Sequence, residues 1–230
     1  MKRTIAIGVV VVLALLIGGG ALLYQRVLGD TAPASGPISA VPLAPEGAAP
    51  GSLLLQILPE KSEARFTIAE VLRGKPNTVV GKSKQVAGEI AVAPKDLAAT
   101  KVGVIRIDAR TLETDSAQRN RAIRNFILNT NTYEYISFTP KEIRQLSGAA
   151  EQGKTLTFQI AGDLTIRDVT RPVVFDVTAQ ADSASQLSGA ASTVINRSDY
   201  NLSIPSVPFV ANVEEQVKLE LVFVAAATQG

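Results

Sequence analysis

Residues 154–182 read KTLTFQIAGDLTIRDVTRPVVFDVTAQAD, and this stretch decides the fold. Leu156, Phe158 and Ile160 alternate with Thr155, Thr157 and Gln159. Further on, Val173, Phe175 and Val177 alternate with Val174, Asp176 and Thr178. A period of two sends successive side chains to opposite faces, so each run is a strand with one apolar face. Leu164 and Ile166 continue the first strand, which leaves Arg167, Asp168, Val169 and Thr170 to reverse the chain. Asp168 suits a turn because its side chain bonds nearby backbone amides. Pro172 has no N–H to donate and fits only the first residue of a strand or an edge. The spacing therefore predicts a β-hairpin, with Phe158 and Phe175 on the apolar faces.

The same period recurs on both sides. Ala64, Phe66 and Ile68 alternate with Arg65, Thr67 and Ala69; Val86, Gly88, Ile90 and Val92 alternate with Gln85, Ala87, Glu89 and Ala91. Val217, Leu219, Leu221 and Phe223 face away from Lys218, Glu220 and Val222. Strands are predicted near residues 53–58, 63–72, 78–81, 86–93, 101–109, 133–144, 154–166, 172–182, 186–197 and 215–226. Such a series, mainly antiparallel and all-β, makes a barrel or a sandwich. One segment departs from the period. DSAQRNRAIRNFIL at residues 115–128 places Ala122, Ile123, Phe126 and Ile127 at helical spacing. Thr114 or Asp115 is the expected cap, with Gln118 three residues after Asp115 and Asn129 as the stop. Arg119, Arg121 and Arg124 lie on this amphipathic helix. They are either a solvated face, or Arg119 is held by Asp115 or by a strand-end carboxylate such as Asp108.

Composition narrows the chemistry. The 230 residues include no His, no Cys and no Trp, with a net charge of +2. Without His or Cys there is no Ser-His-Asp triad, no Cys-His nucleophile and no nitrogen or sulfur site for zinc, copper or haem. The small charge leaves no electrostatic footprint for nucleic acid. GKS at residues 81–83 imitates the end of a phosphate-binding loop, but Pro76 occupies the required Gly position and a strand follows instead of a helix. No enzyme, cofactor or metal is predicted.

The N-terminus reads MKRTIAIGVVVVLALLIGGGALLYQRVLGD. Lys2 and Arg3 precede an uncharged run whose residues 4–24, as a helix, match the roughly 30 Å hydrocarbon core of a bilayer. Residues 1–28 are expected to be an uncleaved signal anchor, a transmembrane helix whose basic flank keeps the N-terminus in the cytoplasm and places the rest outside. The alternative is cleavage near the APA at residues 32–34, releasing the domain. In residues 29–51, Pro, Gly, Ala and Ser fill 17 of 23 positions, which predicts an extended linker without a core of its own. Residues 52–230 are long enough for one folded domain.

Three motifs in order carry a resemblance. LETDSAQRNRAIR at 112–124, followed by FIL at 126–128, Tyr133 and ISF at 136–138, resembles the central motif of the YceI-like lipid/polyisoprenoid-binding family. GDLTIRDVTRPV at 162–173 and INRSDY at 195–200 are similar to its second and third signatures. SEARF at 62–66, Val80 with Gly81, and VAGEI at 86–90 fit its opening elements. The resemblance covers about residues 56–226. It implies a lipocalin-like antiparallel barrel of about eight strands, a helix near one end, export from the cytoplasm, and an elongated isoprenoid-like or fatty-acid-like lipid in the lumen. One departure is Ala122, which stands where the motif commonly carries His.

The inward positions of such a barrel are Ala64, Phe66, Ile68, Val86, Ile90, Phe138, Leu156, Phe158, Ile160, Leu164, Val173, Phe175, Val177, Leu219, Leu221 and Phe223. An eight-stranded barrel is just wide enough for one small ligand or for its own side chains. These residues therefore either line a lipid site or pack on one another. Two functions follow: a membrane-tethered binding protein for an apolar chain, or a structural and interaction module with a filled core.

Overall fold

The computed structural model describes residues 31–34, 36–43 and 49–227. β9 (Thr155–Ile166) and β10 (Val169–Ser183) form the expected hairpin, with Val177 opposite Phe158 and Phe175 opposite Ile160. The reversal is tighter than the sequence suggests. Only Arg167 and Asp168 lie outside the ladder, because Arg167 adopts φ 58° and lets Val169 pair with Ile166 at once. Pro172 sits inside β10, but β11 joins only from Asp176 onward, so one side of Pro172 is an open edge that needs no N–H.

β8 (Tyr135–Arg144), β11 (Gln186–Asn196) and β13 (Gln216–Ala227) extend this sheet. β13 carries a broken partner on its far side. β2 (Glu63–Leu72) pairs with its first half and β1 (Leu53–Ile57) with its last residues. The break is the 3-10 turn Pro59–Lys61. The sheet then returns on itself. β1 pairs with β5 (Glu89–Val92), and β4 (Val86–Ala87), one residue upstream across Gly88, pairs with β7 (Ile105–Asp108), which pairs with β8. The β2–β3 hairpin, with β3 at Lys75–Ser83, is longer than expected. It closes the other half through Lys82 and Glu113, which exchange two backbone hydrogen bonds. β6 (Lys101–Val102) pairs with β5, and β12 (Val210–Ala211) lies beside the end of β2. The predicted strand at 101–109 is thus split between β6 and β7.

Helix α1 (Ala117–Ala122) continues as a π-helical turn, Ile123–Ile127, and ends at Asn129 with φ 48°. The cap is Ser116, whose hydroxyl accepts from the Arg119 N–H, rather than Thr114 or Asp115. Thr114 instead bonds the buried Asn120 side chain through both its N–H and its hydroxyl. The helix, the β2–β3 turn, the β9–β10 turn and residues 201–213 share one end of the barrel, the mouth. The β10–β11 turn and residues 145–154 share the other, the base.

Among the described residues no helix is long and apolar enough to cross a membrane; the expected span over 1–28 lies outside them. The linker is extended, without helix or strand among its described residues before β1. It is nonetheless attached to the barrel. The Ala32 N–H donates to Asn131 Oδ1, the Ile38 N–H to Gln85 Oε1 and the Leu43 N–H to Glu89 Oε2 at 2.6 Å. Ile38 is buried, and Leu43 lies over Gly103. The strap therefore runs from mouth to base along the β4–β7 side.

Candidate functional site

The barrel is hollow, and the lumen has two chambers. The inner one encloses about 230 Å³ behind an almost wholly apolar wall. The outer one, about 750 Å³, opens at the mouth between β2, α1 and residues 202–213. Phe66, Leu112, Ile136, Ile166 and Leu219 touch both chambers and form a waist between them.

The local reason for the hollow is a set of rings laid against the wall. Phe66 stands opposite Gly81 across β2 and β3, and its ring lies where a β-carbon on residue 81 would point. Phe223 lies likewise over Gly189, with Cζ 2.8 Å from that β-carbon position, and Phe138 over Gly162, with Cζ at 2.7 Å. Phe138 also meets Phe175 edge to face, centroids 4.9 Å apart. A ring folded onto a glycine covers its neighbour strand instead of crossing the lumen.

The inner chamber brings together Ala64, Phe66, Ile90, Phe138, Leu156, Phe158, Ile160, Leu164, Phe175, Val177, Leu219, Leu221 and Phe223. Ile68 lines the outer chamber. Two expected residues, Val86 and Val173, line neither chamber. Val86 is fully buried opposite Ile107 and has no free surface. Val173 stands opposite Gly162, where the Phe138 ring already lies. Apart from Ile68 and the waist residues Phe66 and Leu219, the outer chamber was not anticipated. Leu202, Ile204, Pro205, Val207, Pro208 and Val210 form one side of it, in an apolar run whose prolines erase any period. The available signal was an apolar run that no strand or helix claimed.

Several charges at the mouth are paired with one another. Arg119 pairs with Asp115, as one sequence alternative had it, and with Glu70 at 3.2 Å. Glu70, almost fully buried, also accepts from Asn77 Nδ2. Asp108 is not its partner. That carboxylate accepts from the Arg110 N–H at 2.8 Å, and its burial pushes its pKa up. Arg197 pairs with Glu215 and donates to the carbonyls of Leu202 and Glu214, tying the 202–213 segment to the barrel. Bonds from Ser198 hold the Glu215 carboxyl below the usual range. Tyr200 is buried beside this point, and desolvation pushes its phenol up to about 12. Ala122 faces the outer chamber and adds no polar group there.

The YceI-like domain profile matches residues 55–225, nearly the whole described barrel. The chain belongs to the YceI-like family. Curated relatives of this YceI-like chain include a UPF0312 protein of Vibrio cholerae serotype O1, 24% identical over 146 residues, which are 61% of this chain and 73% of that protein. Among solved structures the fold is similar to a polyisoprenoid-binding domain from Saccharophagus degradans implicated in plant cell wall breakdown. The TM-score is 0.60 at 15% identity, covering 76% of this chain and 99% of that one. Burkholderia cenocepacia BcnA is similar at a TM-score of 0.57 and 19% identity, over 74% and 99%. A Campylobacter jejuni YceI protein follows at 0.54 and 17%, over 65% and 85%. These likenesses establish the YceI-like fold.

Proposed function

We propose that this YceI-like protein binds one apolar chain, a polyisoprenoid or fatty-acid-like lipid, in the barrel lumen, outside the cytoplasm and tethered to the membrane by residues 1–28. The observation that carries the reading is the two-chambered lumen. The outer chamber falls within the roughly 300–1,000 Å³ of ordinary ligand sites, whereas the inner one alone is smaller. Joined through the waist, they suit an elongated guest better than a compact one. Burying such a chain yields about 25 cal/mol per Å² of apolar surface, with no catalytic group required. The likeness to a polyisoprenoid-binding domain supports the guest class, and Lys2 and Arg3 ahead of the apolar run support the orientation.

The test is organic extraction of the full chain purified from membranes, with mass spectrometry of the extract. A near-stoichiometric prenyl or acyl chain is the expected result. An empty extract, together with no uptake of fluorescent prenyl or acyl probes, returns the barrel to an interaction module without a guest.

A further inference from the structure

Phe209 is the most exposed large apolar residue among those described, at 72%. One exposed ring is unremarkable by itself. This ring, however, sits on a backbone with φ 69°, a left-handed conformation that bulky residues rarely adopt. A left-handed backbone kept at so exposed a ring points to a role outside the fold. The ring is also firmly placed. The Arg73 N–H donates to the Phe209 carbonyl at 2.7 Å, and Val210 and Ala211 pair with Leu72 and Val71. The Arg73 guanidinium lies over the Phe209 ring, 5.9 Å from its centroid, and makes no ion pair among the described residues. Lys75, two residues on, is exposed as well. An aromatic body with cationic tips beside it matches the headgroup layer of a bilayer, where rings sit at the boundary and Lys and Arg meet lipid phosphates.

The strap supplies an independent argument. Its first described contact, Ala32 on Asn131, lies at the mouth, four residues past Ile127 of the outer chamber wall. The strap then runs toward the base. The chain therefore leaves the barrel toward its N-terminus from the mouth end. Only seven residues separate Ala32 from Tyr24, the end of the apolar run, and they reach at most about 30 Å.

We propose that the barrel rests mouth-down on an anionic phospholipid surface, with Phe209 in the headgroup layer and Arg73 and Lys75 against lipid phosphates. The outer chamber then opens at the membrane itself. This inference rests on residues 4–24 being the membrane span, but not on which chain fills the lumen.

The chain contains no Trp, so Phe209→Trp is a clean optical probe. Ser185→Trp, in the exposed β10–β11 turn at the base, is the reference. Both full-length variants are reconstituted into phosphatidylethanolamine/phosphatidylglycerol vesicles containing brominated lipid. Position 209 is expected to be quenched several-fold more than position 185, with blue-shifted emission, and Arg73→Glu is expected to reduce that contrast. Equal, water-like emission at both positions in protein that floats with the vesicles overturns the docking and leaves the anchor standing. Protein that does not float overturns the anchor and the docking together. Either result is separate from the extraction experiment, which tests the guest.

Discussion

Phe66 and Gly81 face each other across β2 and β3, and the phenylalanine ring takes the space that any side chain on residue 81 would need. Phe66 also belongs to the waist between the chambers. Gly81→Ala must push the ring toward the lumen axis. The ring can move, so the barrel should fold, at an overpacking cost of about 1–3 kcal/mol. Binding of long prenyl or acyl probes should fall while short ones still bind. A chain-length series measured by fluorescence displacement checks this; unchanged long-chain affinity would separate the waist from the binding path.

Gly162→Ala meets a harder obstacle. The added β-carbon would collide with the Thr139 carbonyl as well as the Phe138 ring, and a backbone carbonyl held in a ladder cannot turn aside. The melting temperature should drop further than for Gly81→Ala. Equal drops would show that β8 yields at its bulge between Pro140 and Glu142.

Val177→Phe fills the inner chamber from β10, opposite Phe158. The variant should stay folded, as judged by circular dichroism, and lose co-purifying lipid. A folded variant that keeps its lipid would move the guest to the outer chamber alone.

Asp108 is buried, and its pKa is raised chiefly by desolvation. Between the ordinary carboxylate value and the raised one, the folded state binds more protons than the unfolded state. Wild-type stability therefore falls as pH rises from about 4 through the raised pKa. Asp108→Asn lacks this titration and can still accept from the Arg110 N–H. Its stability relative to wild type should improve as pH rises from about 4 to 7, measured by denaturant unfolding. A constant difference would mean that Asp108 carries the same charge folded and unfolded.

The Tyr200 hydroxyl is buried with no hydrogen-bond partner among the described residues. An unpaired buried donor costs about 1–3 kcal/mol, so Tyr200→Phe should leave stability unchanged or raise it. A clear loss in thermal melting would reveal an ordered water bound there.

Strand positions were legible because period two survives wherever one face meets the lumen and the other meets water, as from Thr155 to Ile166. Thirteen of the inward positions named from the alternation line the inner chamber. Where alternation and lining part, the causes are local. Val86 and Val173 obey the alternation, but alternation reports a face, not whether another side chain already occupies the space in front of it. Residues 202–213 wall the outer chamber with irregular backbone, which carries no period to detect. The strap reads in the sequence as an extended linker without a core of its own, from its Pro, Gly, Ala and Ser content. Its attachment depends on backbone amides finding Gln85 and Glu89, and composition does not record that. The hollow itself was not foreseeable from apolar content. It depends on Gly81, Gly162 and Gly189 lying beside particular rings, a coincidence of register.

β13 pairs with β11 from Gln216 to Ala226 and holds both β1 and β2 on its other side, so Leu55 of the first strand pairs with Ala227 of the last. The barrel's seam is thus its most recently synthesised strand. A chain emerging N-terminus first has an open edge on β11 and an uncovered apolar trough until its final dozen strand residues arrive. Closure is a long-range event that local hairpins cannot anticipate, and folds governed by such contacts form slowly. A truncation that ends the chain after Glu215, and so removes β13, should therefore yield aggregates rather than a leaky barrel.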